Sequence, residues 1–103
     1  MENIFPDIIQ KLPQVDFGLD GLIVHAEETK TGTIYFVFAT KDVDFPEHAH
    51  GEQWTTVVNG SCKFTANGQS TIYTKGDTYT IPKDLKHQIT LFAGYAEVDY
   101  VSK

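Results

Sequence analysis

The sequence contains no arginine. Its cations are eight lysines, dispersed among fourteen acidic residues, and the formal net charge is −6. No basic cluster is available to track a phosphate backbone, so nucleic acid is not an expected partner. The missing guanidinium also removes the planar fork that grips carboxylates and phosphates at two points. An anionic ligand would have to rely on lysine, backbone amides or a metal ion. Cysteine is nearly absent as well. Cys62 stands alone, which excludes an internal disulfide framework and fits a reducing compartment. No apolar run approaches membrane-span length, and the opening MENIFPDIIQKLPQ is acidic and amphipathic, without a basic n-region. No membrane partner is expected, and the expected location is cytoplasmic.

What is present reads as one folded unit. Hydrophobic residues make up 41% and charged residues 21% of 103 residues, enough to build the core of one domain. Residues 4–12, IFPDIIQKL, place Ile4, Phe5, Ile8, Ile9 and Leu12 on one helical face, with Pro6 tolerable in a first turn and Pro13 ending the segment. After that the chain changes to β-branched and aromatic runs, expected as strands near 21–28, 33–40, 53–59, 61–66, 70–74, 78–81, 87–92 and 95–101. Turn signals such as KTG, NG, ANGQ, KGD and AG separate them. Asn67-Gly68 is the strongest, because both central positions of a type I′ turn need positive φ. So many short antiparallel strands in so short a chain call for a sandwich or a small barrel, the forms that limit exposed edges. The expected layout is an N-terminal helix and arm over residues 1–20 and an all-β barrel over 21–103, in one domain overall.

Two stretches carry chemistry. In PEHAHGEQWTTVVNG, His48 and His50 stand two residues apart beside an apparent strand. Residues so spaced on a strand face one side about 6.6 Å apart, so both imidazoles can reach one ion; they can equally be polar residues on the wet face of a sheet. The second stretch is GDTYTIPKDLKH, residues 76–87. Together the two resemble the cupin family, of the small single-domain conserved-barrel type. The first motif is His48, Ala49, His50, then Gln53, WTTVVN and Gly60; the second is Gly76, DTYTI, Pro82, KDLK and His87, with fifteen residues between Gly60 and Gly76. The chain departs from the pattern at Asp42 and Asp84, where glycine is usual, at Leu91, where asparagine is usual, and in the short gap between His50 and Gln53.

The resemblance implies a jelly-roll barrel, a double-stranded β-helix, holding one divalent transition metal ion: Zn, Fe, Ni, Co, Mn or Cu. The ligands it implies are His48, His50, Gln53 and His87. Glu52 competes with Gln53 for the fourth place, and strand register pinned by the Gly60 turn favours Gln53. A shell without negative charge would leave the metal a stronger Lewis acid, able to hold anionic oxygens.

The remaining candidates are plainer. His25, in LIVHAEE, has no spaced partner and is expected to be structural or on the surface. Cys62 is expected to be a small core residue, with no basic neighbour in sequence to make it a nucleophile. Glu97 and Asp99 share one strand face with Tyr95, expected to be a solvated face, although a carboxylate near a metal could act as a general base. Related barrels host isomerases, epimerases, dioxygenases, lyases and sugar-sensing domains. The resemblance favours a metal-dependent enzyme, isomerase or lyase in type, acting on a small oxygen-rich metabolite such as a sugar, uronate or hydroxy acid. The His, His, Gln, His set is similar to that of small cupins that linearise unsaturated uronates. A non-catalytic binding or sensing module and a metal-dependent dioxygenase are the alternatives. By the same resemblance the chain is expected to be a homodimer.

Overall fold

A computed structural model describes residues 2–103. The described residues form one short helix, α1 (Asp7–Gln10), and ten strands: β1 (Gln14–Val15), β2 (Leu22–Glu28), β3 (Gly32–Ala39), β4 (Val43–His48), β5 (Gln53–Asn59), β6 (Ser61–Ala66), β7 (Gln69–Thr74), β8 (Thr78–Ile81), β9 (His87–Leu91) and β10 (Ala96–Ser102). They make two antiparallel sheets, ordered β1-β2-β3-β10-β5-β8 and β4-β9-β6-β7, that face each other as a jelly roll. Among the described residues no helix is long and apolar enough to cross a membrane.

Each expected strand is present, with ends within one residue of those read from the sequence. The Asn67-Gly68 turn has the positive φ values it requires, 53° and 74°. Between β5 and β6, Gly60 has φ 72°, and a Cβ there would lie 2.9 Å from the Tyr95 Cα. Only glycine fits, and the turn fixes which β5 residues face inward. Gln53, Thr55 and Val57 are buried, while Trp54 is exposed on the outer face.

Two strands were not foreseen. β1 is a two-residue pairing with β2 and has no periodicity to read. β4 contains Pro46, which argues against a central strand, but β4 lies at the edge of its sheet, where a missing N–H is tolerated. The helix is also shorter than expected. It starts after Pro6 and ends at Gln10, since Leu12 precedes Pro13 and is driven out of the helical region. Ile4 and Ile8 remain exposed.

Apolar packing occurs on both faces of the six-stranded sheet. Inside the barrel lie Val24, Val37, Val57, Cys62, Leu91 and Tyr95. On the outer face Phe38 and Ala96 pack with Phe5 from the N-terminal arm, whose ring meets Phe36 edge-on at 5.6 Å. This two-sided burial explains why β3 reads YFVF instead of alternating with polar residues.

Candidate metal centre

His48 closes β4, His87 opens β9, and the two are register partners across the sheet. His50 lies beyond the end of β4, so the two-residue parity expected for His48 and His50 does not place them. A register irregularity between Phe45 and His48 ends the regular ladder, and the following loop turns His50 back toward the others. The Asp84 N–H, donating to the His50 carbonyl at 3.0 Å, ties that loop to the turn before β9. The ring centroids are 4.3 Å apart for His48 and His87, 4.9 Å for His50 and His87, and 5.3 Å for His48 and His50. One ligand atom from each lies within 4.8 Å of the others.

Each ring is oriented by its own neighbourhood. Nδ1–H donates to a backbone carbonyl in all three: Pro46 for His48 at 2.7 Å, Gly51 for His50 at 2.7 Å and Leu85 for His87 at 2.9 Å. A carbonyl can only accept, so the proton sits on Nδ1 and the Nε2 lone pair is left as the ligand atom. Phe64 stacks on His87 at 5.3 Å. Burial holds His87 below the usual histidine range, its neighbours His48 and His50 add to this, and the Leu85 carbonyl opposes it. The ring is therefore kept neutral, as a metal ligand must be.

Gln53, the first residue of β5, is buried and lines the same cavity as the histidines. Its Nε2 donates to the Thr55 hydroxyl at 2.8 Å, and that hydroxyl donates its single proton to Asp99 Oδ1 at 2.7 Å. The amide nitrogen is thus drawn toward Thr55, and Oε1 is the atom left for the histidines. Asp99 stands opposite Thr55 in the β10–β5 register. Glu97, two residues before it, accepts from the Tyr95 hydroxyl at 2.5 Å, with Tyr79 a weaker donor at 3.5 Å. Burial, then the charge and hydrogen bond of Glu97, push the Asp99 carboxyl well above the usual carboxylate range, against a smaller lowering by Thr55. One cavity of about 430 Å³ is lined by His48, His50, Gln53, His87, Glu97 and Asp99 together.

The sequence matches a family model, the cupin domain, over residues 34–97, more than half of the chain. This chain belongs to the cupin family. Among solved structures, this cupin resembles an RmlC-like cupin from Shewanella frigidimarina, with 22% identity and a TM-score of 0.78 over 90% of this chain and 85% of that one. A cupin-like protein from Thermotoga maritima gives 19% and 0.76 over 98% and 81%. KdgF from Halomonas sp. gives 15% and 0.75 over 91% and 89%. At such identities the likeness establishes the fold, and the site must carry the function. No curated protein matches this sequence.

The donor set of this cupin fits a borderline divalent metal: three imidazoles whose Nδ1 atoms are engaged by backbone carbonyls, leaving Nε2 as the ligand atom, and one amide side chain lining the same cavity. Such a set does not choose among Zn, Fe, Ni, Co, Mn and Cu. Glu52 is exposed and absent from the cavity lining, while its backbone carbonyl accepts from the Ser102 N–H at 2.9 Å.

The solvated face expected for Glu97 and Asp99 is overturned. They are 5% and 6% exposed, because β10 lies between β3 and β5 in the middle of its sheet and turns these residues into the barrel. His25 is buried away from the cavity lining, with its Nδ1 unpartnered. Cys62 is buried, and burial pushes its thiol up, so it is a packing residue. Sequence reading passed over Thr55, Tyr79 and Tyr95 as hydrogen-bonding partners, and Phe17 and Leu19 as cavity walls. The parity of QWTTVV would have put Thr55 beside Gln53, but nothing local paired it with Asp99.

Proposed function

We propose that this cupin is a metal-dependent enzyme acting on a small oxygen-bearing metabolite, a sugar, uronate or hydroxy acid, by isomerase- or lyase-type chemistry. One observation carries the reading: the histidine cluster and a buried pair of carboxyls line the same cavity. A divalent ion held by His48, His50, His87 and the Gln53 amide oxygen would supply Lewis acidity toward a ligand oxygen. These four side chains add no negative charge, so the site favours an anionic oxygen. Asp99 holds a proton against Glu97, and the pair can accept or return one proton at a ligand carbon or oxygen in the cavity. Tyr95 and Tyr79, kept protonated by burial and by the Glu97 charge, steady that carboxylate.

A second reading, ligand binding without turnover, is favoured by the 2.5 Å bond that already engages Glu97 with Tyr95. A metabolite bound by metal-loaded protein and returned unchanged would decide for it.

The test of the site is metal analysis of protein purified without chelators or nickel resin. We expect about one divalent ion per chain. It should be lost in His48→Ala, weakened in Gln53→Ala and retained in Glu52→Ala. Unchanged metal content in both His48→Ala and Gln53→Ala would sink the site. Retention in Gln53→Ala with loss in Glu52→Ala would move the fourth ligand to Glu52.

A further inference from the structure

The cavity beside the histidines is walled largely by hydrocarbon. Apart from the six polar residues named above, its lining is apolar or aromatic, including Val24, Val37, Phe45, Ile89, Leu91 and Val101. Among the described residues no lysine, serine, threonine or asparagine lines it. Tyr35 carries the one further polar side-chain atom of the lining, and several polar atoms of the six already have partners. The three Nδ1 atoms are bound to backbone carbonyls, Gln53 Nε2 and Asp99 Oδ1 to Thr55, and Glu97 to Tyr95.

A polyhydroxylated ligand in this space would find partners for the oxygens at the histidine end. Its other hydroxyls would leave water for a wall on which only Tyr35 carries a hydroxyl, so most of the lost hydrogen bonds would not be replaced. A carbon body gains from the same wall. The N-terminal arm adds to it through Leu19 and through Phe17, which lies 5.9 Å from the Tyr35 ring and is 47% exposed, with apolar area still to cover. At about 430 Å³ the space is near the small end of ligand pockets.

We infer that this cavity selects a 2-hydroxy or 2-oxo acid with an apolar body over a sugar or uronate, its head oxygens at the histidine end and its carbon chain against Val24, Val37, Leu91 and Phe17. The inference rests on the metal-site reading for the head and on the wall alone for the body.

The probes are lactate, 2-hydroxyisocaproate and galacturonate, titrated into the cobalt-loaded full chain by calorimetry and followed by the cobalt visible spectrum. 2-Hydroxyisocaproate keeps the head of lactate and extends it by an isopropyl group, which should tighten binding by about tenfold or more. Galacturonate should bind no more tightly than lactate. Equal affinities for lactate and 2-hydroxyisocaproate, or galacturonate binding as tightly as 2-hydroxyisocaproate, would overturn the inference. The same titrations into metal-free chain, read from the methyl NMR signals of Val24, Val37 and Leu91, separate it from the metal reading. If the chain takes up no cobalt yet those signals move with 2-hydroxyisocaproate and stay still with galacturonate, the cavity inference stands and the metal site falls. Signals that no probe moves in either state would overturn the cavity inference itself.

Discussion

The two sides of the cavity are anchored in opposite ways. Each histidine ring is oriented by a carbonyl one or two residues away, from Pro46, Gly51 or Leu85. The acid side has one local bond, from Tyr95 to Glu97, but is joined across strands, with Thr55 reaching Asp99 across 44 residues and Tyr79 reaching Glu97 across 18. The histidine side spends its Nδ1 protons on the backbone and leaves lone pairs facing one another, an arrangement that gains from a cation. The acid side has already closed on itself through hydroxyl donors and a retained proton. Thr55 joins the two, accepting from Gln53 and donating to Asp99.

The strongest way to break this division is His87→Ala. Removing a ligand should weaken cobalt or zinc binding by more than about 100-fold, beyond the roughly 10–100-fold expected when an outer partner of a ligand is lost. The metal-free chain should also lose about 1–3 kcal/mol from the vacated ring site against Phe64. Calorimetric metal titration and denaturant unfolding check both. An equal loss of metal in Asp99→Asn would show that the two sides are one unit.

Thr55→Val tests the joint. The volume is nearly conserved, but Gln53 Nε2 and Asp99 Oδ1 both lose their partner. Unfolding should show about 1–3 kcal/mol of destabilisation from the unpaired buried groups. Metal affinity should fall about tenfold, because nothing then directs the amide oxygen toward the histidines. Full affinity in this variant would mean that Gln53 is oriented by something other than Thr55.

Asp99→Asn probes the acid side alone and does so through pH. The folded chain keeps the Asp99 proton above the pH at which the unfolded chain, with the ordinary value near 3.8, releases it. The unfolded state therefore binds fewer protons over that range, and the wild-type contribution to stability falls as pH rises from about 4. Asparagine is neutral throughout and still offers Thr55 an oxygen. The variant should gain stability relative to wild type by on the order of 1 kcal/mol at pH 8 and by less at pH 4. Metal affinity should stay within about twofold. A gain independent of pH would contradict a retained proton on Asp99.

The same contrast explains what could be read from the sequence. The histidine side was legible because local anchoring demands fixed spacing: His48 and His50 with the Gly60 turn, and His87 five residues after Pro82. The strands were legible because β-branched runs and Asn-Gly turns are local signals too. The burial of Glu97 and Asp99 was not, since it depends on β10 being inserted between β3 and β5, a long-range pairing with no trace in the AEVDYVS pattern. Nor was β4, because Pro46 reads as a strand breaker until the strand is known to lie at an edge. The parity argument for His48 and His50 brought together the right residues for a reason the fold does not use, since a loop and not a continuing strand carries His50.

That loop sets the smallest expected effect. Asp84 has φ 66°, the left-handed conformation in which the family pattern carries glycine, and its N–H holds the His50 carbonyl at 3.0 Å. Aspartate tolerates this region better than most residues, so the strain relieved by Asp84→Gly is modest, and glycine gives part of it back through the greater freedom of the unfolded chain. The N–H is unaffected by the substitution, and the His50 loop keeps its tie. Denaturant unfolding should therefore show a gain of no more than about 0.5 kcal/mol, with cobalt affinity within about twofold of wild type. A large loss of metal in this variant would mean that the Asp84 side chain, and not its peptide group, steadies the histidine side, and the picture of rings held by backbone alone would have to be given up.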